Sequence, residues 1–286
     1  MNIIVTGATG YVGYDLVKIL LGHGHKIIAI YRNKNLLTKK LLHKNLTWKK
    51  FDLKNKFNLK RKADIIIHCA VAHNFSKKNN ISDYINSNII SLNNLIDFAK
   101  RSKSKMIINF STVSIYGEIN SKYLHEKYIP IKQNILGLNK YFSENILYEQ
   151  PVNFINIRLP GVLCSRKNNY RPWLQVLINN IKKNRNIDIY NSNNYFNNVI
   201  DTQEIGRFIQ KIIKRKKTIK DNYNLSASNP IKLKKIIDIV KFKYKSKSKV
   251  NNIANKKKNF LISVKKIQNI LNFYPNSTEK IILRNL

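Results

Sequence analysis

Near its start the chain runs from a short apolar segment, Asn2-Ile-Ile-Val5, straight into Thr6-Gly7-Ala8-Thr9-Gly10-Tyr11-Val12-Gly13. A helix-length apolar stretch follows immediately. No other feature restricts the fold as tightly. Three glycines at this spacing let a chain turn sharply, approach a bound group closely and pack a helix against the strand before it. The amides and partial positive charge of the helix N-terminus then favour an anion. The expected ligand is the pyrophosphate of a dinucleotide, held around Gly7, Thr9, Gly10, Tyr11, Val12 and Gly13.

Alternation along the chain agrees with this. Ile3 to Val5, Ile27 to Ile30, Asp64 to His68, Met106 to Phe110 and Phe154 to Leu159 read as short buried strands. Segments 11–22, 84–101 and 134–149 between them have helical length and patterning. Such alternation predicts an α/β fold, a Rossmann-type doubly wound parallel sheet covered by helices on both faces. Later segments 187–190 and 223–227 read as strands, and 172–184, 203–216 and 232–244 as helices. The Asn-rich stretch 191–198 reads as a loop and 243–249 as a basic connection. We expect a dinucleotide-binding domain over 1–160 and a smaller, mainly substrate-binding portion over 161–286, with some later segments returning to the first domain.

The second strand ends Ile30-Tyr31-Arg32. A carboxylate at this point suits the ribose hydroxyls of NAD, whereas an arginine accommodates the 2′-phosphate of NADP. Arg32 therefore tips the expectation slightly toward NADP, with NAD the alternative. The turn Phe51-Asp52-Leu53 offers a carboxylate for an adenine amino group, or equally a turn cap.

Charge is the unusual number. Fifty-three Lys and Arg against 15 Asp and Glu give +38, although charged residues make up an ordinary 24% of the chain. The shortage is of acids. Lys, Asn and Ile share A/T-rich codons, so biased composition explains much of the surplus, and no specific nucleic-acid partner is expected. Two widely separated cysteines, Cys69 and Cys164, support neither a zinc site nor a disulfide scaffold. His68, His73 and His125 lack partners at metal-ligand spacing and read as ordinary strand or loop residues. With no apolar run of membrane-spanning length and no room for a signal peptide before Asn2, a cytoplasmic protein is expected.

In order along the chain, several further motifs accompany the glycine turn. They are Asp52-Leu53, His68-Cys69-Ala70, Asn88 within a helix, Ser111-Thr112-Val-Ser-Ile-Tyr116-Gly117 and Arg158-Leu-Pro160-Gly161. Phe196-Asn-Asn-Val199, Tyr223-Asn-Leu-Ser226, Asn229-Pro230 and Phe273-Tyr-Pro275 complete the series. The ordered set resembles the extended short-chain dehydrogenases/reductases, in the NAD(P)-dependent epimerase/dehydratase group that acts on nucleotide sugars. The resemblance implies cofactor contacts from Leu53, Ala70 and Pro160 and a homodimer formed through helices 84–101 and 134–149. It also implies a Ser/Thr, a Tyr and a Lys as the catalytic set, with the Tyr moving a proton while hydride passes at the nicotinamide. Thr112 and Lys140 match the first and last of these.

The tyrosine position holds Leu136. It lies 24 residues after Thr112 and opens Leu136-Gly137-Leu138-Asn139-Lys140, the segment that matches the family's helix start. A leucine exchanges no proton. The pairs Tyr14/Lys18, Tyr123/Lys127 and Tyr128/Lys132 have Y-x-x-x-K spacing; none stands at the expected place, which leaves Tyr128 or Tyr123 carried in by a mobile loop as the alternative. Tyr141, next to Lys140, faces elsewhere on a helix. Val113 and Ser114 replace the acids that the family's dehydratases carry, which weakens 4,6-dehydration. In Asp201-Thr-Gln203-Glu204 only Glu204 of the family's acidic pair remains, and it reads as a structural acceptor. Arg158 is a candidate for a substrate phosphate or a strand-end arginine. Arg171, Lys182, Asn197 and Asn198 fall in the substrate portion. Two functions follow: an NAD(P)-dependent epimerase or reductase of a nucleotide-linked sugar, or a cofactor-binding protein that has lost this chemistry.

Overall fold

A computed structural model describes residues 1–33, 36–59, 62–72, 80–166, 173–215, 217–254 and 259–286. His73 and Arg171 lie outside the described residues. The chain forms two compact units. The first comprises Met1–Glu118, Ile129–Arg158 and Gly206–Tyr223; the second comprises Ile119–Tyr128, Leu159–Ile205 and Asn224–Leu286. The chain thus passes between units after Arg158, near the expected boundary, and at four further points.

The first unit is built on a seven-stranded sheet. Its strands are β1 (Asn2–Thr6), β2 (Lys26–Tyr31), β3 (Leu46–Lys50), β4 (Ile65–His68), β5 (Met106–Thr112), β6 (Phe154–Leu159) and β7 (Lys220–Asn224). Their order is β7-β6-β5-β4-β1-β2-β3, and the pairings from β3 through β5 are parallel. The order reverses between β1 and β4. At such a switch point two loops leave the carboxyl edge of the sheet in opposite directions and open a crevice there.

The helices are α1 (Tyr11–Gly22), α2 (Ile81–Ile85), α3 (Ser91–Ser102) and α4 (Ile135–Tyr148). Helix 84–101, expected as one element, is interrupted. Between α2 and α3 the segment Asn86–Ile90 is wound as a π-helix. Ile4, Ile66 and Ile107 of the sheet pack with Leu92, Leu95, Ile96 and Ala99 of α3. Phe57 joins them edge-on to Phe51 and Phe98, with ring centroids 5.1 and 5.0 Å away. Each such fully buried side chain contributes roughly 1.5–3 kcal/mol. Polar strand residues bond across the sheet, Asn109 Nδ2 donating to Asn156 Oδ1 and Asn156 Nδ2 to Asn222 Oδ1, both at 2.8 Å, while Asn109 Oδ1 is buried without a partner among the described residues.

Helix α4 is held at both ends of its buried face. Asn134 caps it by accepting from the Gly137 amide at 2.9 Å. Gly137 allows contact with the preceding strand-end turn: a Cβ there would lie 2.3 Å from the Ser114 carbonyl oxygen. Farther along, Glu144 takes a two-pronged bond from Arg158, with Nη2 to Oε2 at 2.6 Å and Nε to Oε1 at 3.1 Å. The pair is 3% and 1% exposed. Arg158 Nη1 also donates to the Tyr116 hydroxyl at 3.2 Å. Arg158 is therefore an internal strut of the first unit, and a surface role is excluded by its burial.

The second unit contains Trp173–Lys182, Thr202–Ile205 from the start of a helix ending at Ile213, Leu233–Tyr244, Lys265–Leu271 and Thr278–Arg284, with several two-stranded pairings. The expected strand 223–227 is shifted to Lys220–Asn224. Glu204 is fully buried and accepts from the Asn276 amide and side chain at 3.1 and 2.7 Å. Arg284 grips Asp201 through Nε and Nη2 at 2.8 and 2.7 Å. Asn197 donates to Ala227 and Ile262 carbonyls and accepts from the Ile262 amide. Lys182 lies over the Tyr244 ring at 5.2 Å. These residues bind the unit's own segments together.

Truncating one partner of a buried ion pair strands the other charge. Glu144→Ala should destabilise the protein by about 3–5 kcal/mol in denaturant titrations. Glu144→Leu combined with Arg158→Met should recover most of that loss, which distinguishes a stranded charge from lost packing.

Candidate active site

The glycine turn sits at the switch point. Gly7 has φ +62°, and a Cβ on it would meet the Ala70 amide nitrogen at 2.7 Å, so the turn after β1 closes directly on the end of β4. A Cβ on Gly13 would lie 2.3 Å from the Gly7 carbonyl oxygen. The start of α1 is thereby pressed onto the turn. Gly10 is its N-cap, with φ −70° and ψ 170° and no side-chain capping bond. Residues 10–13 thus form the backbone cradle that an anion needs. Thr6 braces it from below, its hydroxyl 2.8 Å from His68 Nδ1 and 3.3 Å from the Ala70 amide.

His68 is fully buried, and its Nε2 lies 3.4 Å from Ser91 Oγ. Burial, with a smaller effect from the Lys140 charge, holds its pKa well below the usual imidazole range. It is a neutral strut. His125 is exposed, in the second unit. Among the described residues no three His, Cys, Asp or Glu are grouped as metal ligands.

A cleft of about 650 Å³ opens beside the ends of β2 and β3. Arg32, Asn33, Lys50, Phe51, Asp52 and Asp83 line it. The cleft brings together Arg32 and Asp52, both singled out from the sequence. Asp52 Oδ1 also accepts from the Lys54 amide at 3.1 Å, so one carboxylate both caps the turn and faces the cleft. Leu53 turns its side chain into the core instead. Lys50 and Asp83 were not apparent from sequence. Lys50 enters through strand register, because it pairs with Tyr31, the residue before Arg32.

At the end of β5, Thr112 is half-buried and caps the 3₁₀ turn Val113–Tyr116. Its Oγ1 accepts from the Ser114 amide at 3.1 Å and donates to Ser114 Oγ at 3.2 Å. Beside it, Ser111 Oγ is buried without a partner among the described residues. Gly137 presses α4 against this same turn. Leu136 and Lys140, one helical turn apart, are both on the buried face of α4. Leu136 is 5% exposed and packs with Val71, Ala72 and Tyr84.

Lys140 is 3% exposed. Burial lowers its pKa to about 8, partly opposed by Cys69 and Glu144. Burial and the nearby Lys140 act oppositely on Cys69, and burial wins, pushing the thiol up. Because Glu144 is bound to Arg158, the ammonium of Lys140 has no described hydrogen-bond acceptor of its own. Pro160 is buried in the second unit, between Leu159 and Gly161. Tyr123 and Tyr128 also belong to that unit, and the Tyr128 hydroxyl accepts from the Asn120 amide.

Residues 3–226 match the family described as NAD dependent epimerase/dehydratase. CDP-abequose synthase of Salmonella muenchen is 24% identical over 260 residues, covering 87% of this chain and 83% of the relative. Among solved structures, UDP-glucuronic acid 4-epimerase from Bacillus cereus, in complex with NAD, has a TM-score of 0.82 at 19% identity. It covers all of this chain and 97% of that one. The Bordetella bronchiseptica enzyme WbmG, in complex with NAD and UDP, has a TM-score of 0.84 at 16% identity, covering 99% and 92%. With three-quarters of its length matched in order, from the strand before the glycine turn to Ser226, the chain belongs to the NAD-dependent epimerase/dehydratase family.

Proposed function

We propose that this protein is an NAD(P)-dependent epimerase or reductase of a nucleotide-linked sugar that works without a tyrosine at position 136. The observation that carries the reading is the pairing, within one unit, of the tight glycine turn at 7–13 with a buried Lys140 on the helix docked against the Thr112 turn. A ligand-binding role explains why a lysine is kept in so costly a position. Relatives named for CDP- and UDP-linked sugars support nucleotide sugars as the proposed substrate class, with residues 161–286 as mainly the substrate portion.

The donor set fits the cofactor. Amides at Gly10–Gly13 suit the pyrophosphate, with Tyr11 and Val12 in the same turn; Thr9 and Gly7 shape the loop. Asp52 suits the adenine amino group, and Arg32 with Lys50 suits a 2′-phosphate, so NADP is favoured over NAD. Ala70 and Pro160 are proposed contacts nearer the nicotinamide. The bound nicotinamide supplies hydride exchange with the sugar carbon. The chain does the rest: Lys140 holds the ribose hydroxyls, and Thr112 orients the reacting sugar oxygen. Leu136 leaves proton transfer to another group.

A second reading has its own observation. Leu136 is packed in an apolar cluster, as expected of a chain that keeps the cofactor fold and has lost the chemistry. A panel of CDP-, UDP- and dTDP-linked sugars and 4-keto sugars separates the two. The enzymatic reading expects NADPH oxidation at 340 nm, or epimers resolved by chromatography, from the wild-type chain. It also expects Lys50→Glu to lower the preference for NADPH over NADH at least tenfold. Tight cofactor binding with no turnover anywhere in the panel favours the second reading.

Lys140 gives a prediction independent of turnover. A folded-state pKa of about 8, below the lysine model value of 10.5, means that folding works against the ammonium at neutral pH. Lys140→Met should therefore raise the stability of the ligand-free protein by about 1–3 kcal/mol at pH 7. That advantage should shrink as pH rises from 8 to 10.5, where the unfolded lysine loses its proton too. Denaturation midpoints across this range check both sign and window.

A homodimer is the proposed assembly, through helices 84–101 and 134–149. On α4, Ile135, Leu138 and Phe142 are 37%, 52% and 53% exposed at i, i+3 and i+7, a single apolar stripe. Ile81 and Ile85 are exposed on α2. Sedimentation should show a dimer for the wild type and a monomer for Leu138→Lys/Phe142→Lys.

A further inference from the structure

With Leu136 in place, the reaction needs a phenol or an equivalent acid from elsewhere, and the packing around Leu136 narrows the choice. Tyr84, on α2, is 5% exposed and shares one cluster with Leu136 and Ala72. Its hydroxyl has no hydrogen-bond partner among the described residues. Two other phenols of this unit have hydroxyl partners: Tyr116 accepts from Arg158, and Tyr148 donates to Asp221.

The backbone around Tyr84 is fixed toward α4. One turn after it comes fully buried Asn88, whose Oδ1 accepts from the Ala72 amide at 3.2 Å and whose carbonyl accepts from Ser143 Oγ at 2.8 Å. Ser143 lies on the same buried face of α4 as Leu136 and Lys140. These bonds tie the loop after β4, the π-wound segment and α4 into one assembly with Tyr84 against Leu136. π-helical insertions concentrate at functional sites. Asn88 Nδ2, buried without a partner, marks further unmet hydrogen-bonding capacity at this place.

We propose that Tyr84 supplies the phenol that position 136 lacks, exchanging a proton with the reacting oxygen of the sugar. This rests on the enzymatic reading above. In the reductive direction the carbonyl carbon gains the hydride, and the electron pair of its π bond moves to oxygen. That oxygen takes the proton from the Tyr84 hydroxyl, whose O–H bond breaks, and a water returns a proton to the phenolate. The carbonyl is reduced to an alcohol as the nicotinamide is oxidised; the opposite direction reverses each transfer. Lys140 places a cation on the α4 face that Leu136 shares, which favours the phenolate.

Tyr84→Phe keeps the ring and removes only the hydroxyl. The expected result is a 10²–10⁴-fold loss of kcat, with KM and the dissociation constant for NADPH within about threefold of wild type. The kcat–pH profile should lose a limb in the variant. Adding Leu136→Tyr to Tyr84→Phe should restore at least tenfold. Wild-type turnover that survives Tyr84→Phe within threefold overturns the assignment while leaving the enzymatic reading intact. Cofactor binding without wild-type turnover, relieved by Leu136→Tyr alone, overturns both.

Discussion

A gap of one hydrogen atom organises this fold. No side chain fits at Gly13, because a Cβ would stand 2.3 Å from the Gly7 oxygen, and none fits at Gly7, where the neighbour is the Ala70 backbone. Those two contacts lock the end of β1, the end of β4 and the start of α1 together at the point where strand order reverses. The resulting turn is made of backbone, and its shape owes nothing to the +38 charge of the chain. The candidate side chains come from other elements: Arg32, Lys50 and Asp52 line the cleft beside β2 and β3, and Lys140 lies on the buried face of α4.

Helix α4 carries the second constraint. Gly137 sets its distance from the Thr112 turn, and the buried Arg158–Glu144 pair anchors it a turn beyond Lys140. That anchoring has an electrostatic consequence. Glu144 is the nearest carboxylate on the helix, yet its oxygens are held by Arg158, so it only partly offsets the burial of the Lys140 ammonium. The site is therefore built at a cost in stability that a bound ligand can offset. Leu136 packs in an apolar cluster with Ala72, Val71 and Tyr84, so the phenol ring of Tyr84 lies against it.

The fold was legible where local pattern and tertiary role coincide. The glycine turn and helix 11–22 stand as read, because strand, turn and helix are contiguous in sequence. The strands from Ile3, Ile27, Asp64, Met106 and Phe154 were visible as buried runs, since parallel strands covered on both faces lose their alternation. Other features depend on distant partners. Lys50 reaches the cleft through its register with Tyr31, which no local spacing reveals. The π-wound segment 86–90 hides inside an ordinary helical pattern, and no local spacing shows that Glu144 holds Arg158. Tyr84 had one sequence signal, its i, i+4 relation to Asn88, but its contact with Leu136 links residues 52 positions apart.

Every role proposed for this site depends on residues 7–13 holding a dinucleotide. Titrating purified protein into NADPH and following the reduced-nicotinamide fluorescence measures this directly. One saturable site per chain at micromolar concentration is expected, with NADPH bound more tightly than NADH. Absence of saturable binding by either cofactor would contradict the role assigned to the glycine turn, Lys140 and the Arg32–Lys50 cleft together.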